Sequence, residues 1–271
     1  MLRFDRIEHL ISPPDLESKL VVQVGVGSGG AAVSDHLTMN GVRRWILLDP
    51  DTYDEVNLVK HPRLRSQLGR PKVKNQEEWI LDRNPGAEVR AFAEDVMSFQ
   101  DFAELVKESD LVLCCADKNE VRLFVNSVAV ESRKPCITAS VFRQGFGGEV
   151  YGYVPGESGC LECMIRAADQ LGWNMEAGVE QTAEEDEAVY GMNVRDFKAS
   201  GLSMDIQAIA ILQARMALDL LHPEAKAKLS QPGFTWVMMF NRPAPGAADG
   251  AFVWSKWTRV KGRKDCRCSK G

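Results

Sequence analysis

Two groups of residues in this sequence have types and spacing suited to chemistry. The first is the run VVQVGVGSGGAAVSDHL, in which Gly25, Gly27 and Gly30 stand in G-x-G-x-x-G order. Glycine lets backbone approach a phosphate closely, and a helix opening in such a loop turns its free N–H groups and positive dipole end toward the same anion. About 20 residues further on, RRWILLDPD carries Asp49 at the end of an apolar stretch, where a carboxylate accepts hydrogen bonds from ribose hydroxyls. This pair specifies a nucleotide and leaves NAD and ATP equally good. The bland alternative is a loop kept only for tight strand–helix packing. The second group is four cysteines in two close pairs far apart in the chain, Cys160-x-x-Cys163 and Cys266-x-Cys268. In a reducing compartment such pairs suggest a metal before a disulfide, with spare thiols or a redox pair as the alternative. The other three cysteines, Cys114 and Cys115 in DLVLCCAD and Cys136 in KPCITASV, sit in apolar runs and read as buried strand residues.

A glycine loop of this kind must end a strand and begin a helix, and the pattern supplies both. KLVVQVGV is a short apolar run of the sort that forms a buried parallel strand, and GGAAVSDHLTMNGV follows with helical spacing. RRWILLD is a second strand. KVKNQEEWILDRNP is a helix stopped at Asn84-Pro85. AEVRAFAED alternates as a strand, FQDFAELVKES is helical, DLVLCCAD is a buried strand, NEVRLFVNSVAVESR a helix and PCITASVF a strand. Strand–helix alternation with short connections predicts an α/β fold with a doubly wound, mostly parallel, Rossmann-like sheet. In the second half GGEVYGYVPG and TWVMMFNRP alternate as antiparallel strands would, and LSMDIQAIAILQARMALDLL is a mostly buried helix. Residues 167–200 show little periodicity and include the acidic run Glu184 to Glu187. They read as a long mobile loop, its acidic run solvated.

The segment LLDPDTYDEVNLVKHPRLRSQLGRPKVKNQ resembles the ThiF / MoeB / ubiquitin-activating family of adenylating enzymes. That family carries an acid-x-acid pair at the strand end, then asparagine-leucine with a basic residue just beyond, then glycine-x-x-lysine-valine. Here these are Asp49 and Asp51, Asn57-Leu58, Lys60, and Gly69 with Lys72-Val73. Downstream, CADKNEVRLFVN matches an aspartate after the fourth strand followed by arginine and asparagine on the next helix, as Asp117, Arg122 and Asn126. The resemblance extends through KPCITASVFRQGFGGEVYGYVPGESGCLEC and LSMDIQAIAILQA and covers nearly the whole chain.

The resemblance implies ATP-dependent adenylation of the C-terminal carboxylate of a small ubiquitin-like or sulfur-carrier protein, or a peptide, with release of pyrophosphate. Bringing a carboxylate to the α-phosphorus joins two anions, so the reaction needs cations and a metal around the phosphates. Lys72 and Lys60 are suitable cations. Asp117 is suitable for Mg²⁺, which binds through one or two carboxylates and phosphate oxygens. Asn57 would orient a phosphate or a metal-bound water. The family usually has arginine where Lys60 stands, and lysine keeps the charge without the bidentate grip. An N-terminal arginine of the family reaches the γ-phosphate of the partner subunit. Arg6, or Arg3, would serve here, in a homodimer. The four cysteines would form the family's structural zinc site, a closed tetrahedron of thiolates clamping the chain end to the body; the C-x-C spacing of Cys266 and Cys268 departs from the usual second pair. Many members also carry a thioester-forming cysteine before the late helix. Between Met164 and Pro223 this sequence has none. The acyl-adenylate would therefore pass directly to an external acceptor, such as a sulfur donor, an amine or a cysteine of a conjugating enzyme or sulfurtransferase.

Other classes fit less of the pattern. A NAD-dependent oxidoreductase needs the glycine loop and Asp49 but gives no purpose to Asn57, Lys72 or the paired cysteines. A non-catalytic scaffold for a ubiquitin-like protein has no need of Lys72 and Asp117. The formal net charge of −5 argues against bulk nucleic-acid binding, which asks for a basic face. The opening residues MLRFDRIEHLISPPDLESK contain no apolar h-region, and no stretch approaches the ~20 apolar residues of a membrane span. A cytoplasmic protein is expected. Its 271 residues suit a single ThiF-like domain, 1–145 being the nucleotide-binding half and 146–271 the carrier-binding half, with a crossover loop at about 167–200 and a zinc-bound tail.

Overall fold

The computed structural model describes residues 4–142, 145, 147–170, 201–224, 235–240 and 255–269. All five residues of β1 (Leu20–Val24), four of them apolar, are buried, as a strand covered on both faces requires. It lies parallel to β2 (Arg44–Leu48) on one side and to β4 (Leu111–Cys114) on the other. Beyond β2 is β3 (Glu88–Phe92), also parallel, and its partly exposed residues mark the sheet edge. Beyond β4 comes β5 (Cys136–Val141), again parallel. The direction then reverses: β6 (Gly147–Tyr153), β7 (Trp236–Phe240) and β8 (Ser255–Thr258) pair antiparallel in succession. The described residues thus form one eight-stranded sheet of order β3-β2-β1-β4-β5-β6-β7-β8. Both sequence expectations, a parallel nucleotide half and antiparallel strands after it, hold. The strand β8 was not anticipated.

Helices cover both faces. On one side lie α1 (Pro13–Glu17), α2 (Ser28–Met39), α3 (Lys72–Arg83) and α7 (Ser203–Leu221), with Val21, Trp45, Leu47, Ile137 and Val237 of the sheet in their core. On the other lie α4 (Phe102–Glu108), α5 (Asn119–Glu131) and α6 (Leu161–Gln170), packed over Val22, Ile46, Val112, Tyr151 and Trp236. α3 stops at Arg83, and Asn84 is already extended before Pro85, as the clash of a proline ring with a preceding helical residue demands.

Two expectations need correction. Residues 167–170 belong to α6, not to a loop. Leu161, Met164 and Ala168 recur at helical spacing and are buried, so the helix gains an apolar stripe through its last turn. Residues 171–200, with the acidic run, lie outside the described residues. Cys114 and Cys136 are buried in β4 and β5. Cys115, however, is only half-buried and stands just past the end of β4. There the chain leaves the sheet, and the Cys115 thiol lies 3.4 Å from Oε1 of Gln213 on α7.

Candidate active site

The strand order reverses between β1 and β4, and ligands of open α/β sheets bind beyond the carboxyl ends of strands at such a switch point. The glycine loop sits there. Gly25 has φ +91°, and a Cβ on it would lie 2.8 Å from the Cys115 backbone. A Cβ on Gly30 would strike the Gly25 carbonyl oxygen. These two glycines are therefore required by the chain itself. Gly27 is different: nothing lies within 4 Å of where its Cβ would be. Its bareness leaves open space in front of the N-terminus of α2, the room a phosphate needs. The loop is held from below by buried Gln23, whose amide donates to the carbonyls of Gly25 (3.0 Å) and Gly30 (2.9 Å).

Asp49 closes the loop from the side. Its Oδ2 accepts from the Val26 N–H at 2.6 Å and its Oδ1 from the Asp51 N–H at 2.9 Å. Burial pushes its carboxyl pKa up, opposed by the Val26 hydrogen bond and by Lys72. The acid therefore orders the loop while lone pairs remain for a ribose. Lys72 is delivered by a short backbone zipper. Tyr53 N–H donates to the Arg70 carbonyl, Gly69 N–H to the Tyr53 carbonyl and Lys72 N–H to the Asp51 carbonyl. Gly69, at φ +77°, makes the turn, which explains the Gly-x-x-Lys spacing. The Lys72 ammonium then meets Asp51 Oδ2 at 2.6 Å. Only 10% of the lysine side chain is exposed against 64% for Asp51. A cation held this way, against a solvated carboxylate, could exchange that partner for another anion.

Residues 54–68 leave and rejoin this zipper. Asn57 Oδ1 accepts from the Asp54 N–H at 2.9 Å and caps a short 3-10 turn, Glu55–Asn57. The structure thus gives Asn57 a local structural duty beside the ligand role implied by its motif. The Lys60 carbonyl accepts from the Ser28 hydroxyl at 2.5 Å, which fastens this excursion to the start of α2. Arg63 forms a buried pair with Asp35 of α2, 2.7 Å and 3.0 Å through its two terminal nitrogens, and also meets Gln76 of α3. Sequence reading missed Arg63, Gln23 and His61, whose Nε2 lies 2.9 Å from the Val26 carbonyl.

Asp117 is exposed just beyond β4, two residues from Cys115, whose backbone abuts Gly25. Arg122 straps that turn: Nε donates to the Ala116 carbonyl (2.9 Å) and Nη1 to Asn119 Oδ1 (2.8 Å). Asn126 does not join the site. It is buried, and its Oδ1 accepts from Leu161 N–H at 2.9 Å, tying α6 to α5. Buried Glu149 on β6 lines a small cavity with Arg122, Thr138 and Ser140. Burial pushes its pKa up to about 7 against the Trp236 indole N–H and Arg122. Arg6 stands exposed on the turn leading to α1, and Arg3 lies outside the described residues.

The four cysteines converge. Their sulfur atoms all lie within 4.8 Å of one another, with Cys160–Cys266 at 3.5 Å and Cys163–Cys268 at 3.7 Å. Four thiolates around one tetrahedral ion at a metal–sulfur distance of 2.3 Å stand about 3.8 Å apart, so the quartet could hold a metal. The Arg263 N–H points at Cys163 Sγ from 3.5 Å, a contact of the kind that supports metal thiolates. The C-x-C pair is accommodated by the final 3-10 turn, Arg267–Ser269.

Comparison with known proteins agrees with this geometry. The chain is 28% identical over 158 residues to ubiquitin-like modifier-activating enzyme 5 of Arabidopsis thaliana, covering 53% of this chain and 37% of the relative. It is 29% identical over 151 residues to the adenylyltransferase and sulfurtransferase UBA4 of Yarrowia lipolytica, covering 56% and 37%. It therefore spans well under half the length of these relatives. In fold it matches Escherichia coli MccB: a crystal structure of that protein with ATP aligns at a TM-score of 0.69 and 22% identity, over 96% of this chain and 69% of the other. The ThiF family model matches residues 13–240. That match runs from the residue that opens α1 to the last residue of β7, and the chain belongs to the ThiF family.

Proposed function

We propose that this chain is an ATP-dependent adenylating enzyme that joins the C-terminal carboxylate of a small ubiquitin-like or sulfur-carrier protein, or of a peptide, to AMP. The observation that carries this reading is the buried Lys72 ammonium, held beside Asp49 and Asp51 at a loop whose Gly27 leaves open space at a helix N-terminus. A dehydrogenase site has no use for a lysine there. In the reaction, a carboxylate oxygen bonds to the α-phosphorus and the bond to the bridging oxygen breaks, so pyrophosphate leaves with the electron pair. The α2 N-terminus and Lys72 hold phosphate oxygens, Lys60 adds charge from the adjoining turn, and Asp49 holds the ribose. Asp117, on a turn fixed by Arg122, would hold Mg²⁺, which supplies charge neutralisation for the leaving group. The cysteine quartet would hold a structural zinc.

The assembly and partners follow the same reading. A homodimer would place Arg6 of one subunit at the phosphates of the other. Residues 146–271 would receive the carrier's tail, and an external acceptor, a conjugating enzyme or a sulfurtransferase, would consume the adenylate. No helix among the described residues is long and apolar enough to cross a membrane, and free cysteines with ATP use suit the cytoplasm. Titration calorimetry tests the nucleotide assignment. MgATP should bind at least about 100-fold more tightly than NAD, roughly the worth of two charged contacts to phosphate. Equal affinity for the two would point back to an oxidoreductase.

A further inference from the structure

The residue at the centre of the glycine loop is held through both of the peptide groups that flank it. Val26 lies between Gly25 and Gly27. Its N–H is taken by Asp49 at 2.6 Å, and its carbonyl is met by His61 Nε2 at 2.9 Å. A carbonyl can only accept, so Nε2 carries the proton and the ring is the Nε2–H tautomer. Burial favours this neutral form, lowering the imidazole pKa to about 4 against the Val26 hydrogen bond, with Arg63 and Lys72 pushing the same way as burial. The bare Nδ1 is buried and has no hydrogen-bond partner among the described residues, which suits a ring used as a single-ended donor. His61 is 5% exposed and leans on Tyr53 with ring centroids 5.0 Å apart.

The same imidazole sits at the end of the turn that carries Lys60. The N–H groups of Lys60 and His61 both donate to the Asn57 carbonyl, at 3.1 and 2.7 Å. The Lys60 carbonyl is fastened to Ser28. The Lys60 turn is therefore joined to the glycine loop at two points, Val26 through His61 and Ser28 through the Lys60 backbone. The first N–H groups of a helix have no partner within it, so their direction depends on how the preceding peptides are held. With the Gly25–Val26 peptide held by Asp49 and the Val26–Gly27 peptide by His61, Gly27 and Ser28 enter α2 at a fixed angle. Loss of the His61 contact would free the Val26 carbonyl to rotate and would loosen the Lys60 turn with it.

We infer that His61 is a positioning residue for the triphosphate, setting through one Nε2–H bond both the orientation of the glycine-loop peptides and the place of Lys60. This rests on the ATP-binding reading above. It predicts a dependence on phosphate number that a general packing role would not give. Calorimetry should be run with MgATP, AMP and adenosine on the wild-type chain, His61→Leu and His61→Gln. The leucine variant should bind MgATP about tenfold or more weakly, about what one well-made polar contact is worth, AMP less weakened, and adenosine within about twofold of wild type. Glutamine, whose side-chain amide reaches a similar distance with an N–H donor, should restore MgATP affinity to within about threefold. Where the leucine variant does not fold, His61→Asn, with a shorter reach, makes the same comparison. Equal weakening for all three ligands, wild-type affinity in the leucine variant, or a glutamine variant as weak as leucine would each overturn the assignment. A wild-type chain that binds adenosine and not MgATP would instead remove the ATP reading itself, and this inference with it.

Discussion

Lys72→Ala should lower adenylation, followed as ATP–pyrophosphate exchange, by two to three orders of magnitude, and Asp117→Ala should do the same. Those are the losses expected when one charge contact made chiefly in the transition state is removed from a preorganised site. The two sites differ in what else the substitution disturbs. Asp117 is exposed, so its replacement should leave stability within about 0.5 kcal/mol of wild type. Lys72 is buried; its ion-pair partner Asp51 is largely solvated, but its charge also offsets the burial of Asp49, so losing the ammonium should push the Asp49 carboxyl pKa further up. Lys72→Met keeps most of the packing and separates charge from volume. Because both residues would act on the same phosphates, the double variant should lose much less than the product of the two single losses. A methionine variant with near wild-type exchange would show that the buried ammonium is structural.

The second large effect concerns the cysteine quartet. Its members join distant parts of the chain: Cys160 and Cys163 at the start of α6, Cys266 and Cys268 in the last turn, with Arg267 reaching Glu131 of α5 at 2.8 Å. A structural zinc contributes its binding energy directly to folding. Elemental analysis of the purified chain should find about one zinc. The Cys266→Ser/Cys268→Ser double variant should lose it and melt on the order of 10 °C lower, a loss of several kcal/mol for a chain of this size. The nucleotide loop is built from other residues, so the folded fraction at low temperature should retain adenylation. Full zinc occupancy in the double variant would exclude the C-x-C pair as ligands.

How much of this was legible in the sequence differs with the kind of force involved. β1, β2, β4 and β5 were readable because a strand buried on both faces must be mostly apolar. Gly25 and Gly30 were readable because only glycine fits a backbone contact that close. The cysteine pairs announced themselves by spacing, and the structure brings all four sulfurs together. By contrast, Gln23 and His61 act through side-chain hydrogen bonds to backbone carbonyls, two from Gln23 and one from His61, which leave no periodic trace. Asn57 matched a motif, yet its side-chain oxygen caps its own turn, a local use that spacing cannot separate from ligand binding. Cys115 was misread as a core residue because an apolar run does not reveal where its strand stops. The helix α6 was not anticipated, and its residues 167–170 read as loop, because Ala168 is too small to strengthen an apolar pattern, though it is buried. The brief α1 and the edge strand β8 are held by packing and pairing with distant segments, not by strong local preference.

The most direct test of the central claim is ATP–pyrophosphate exchange by the wild-type chain with a panel of ubiquitin-like carriers and C-terminal peptides, each supplied with a free carboxylate and as the C-terminal amide. The account predicts that labelled pyrophosphate enters ATP only when a donor with a free C-terminal carboxylate is present, and that the amide of the same donor gives background exchange. No exchange with any donor, by a chain that binds MgATP, or equal exchange with free and amidated termini, would contradict it.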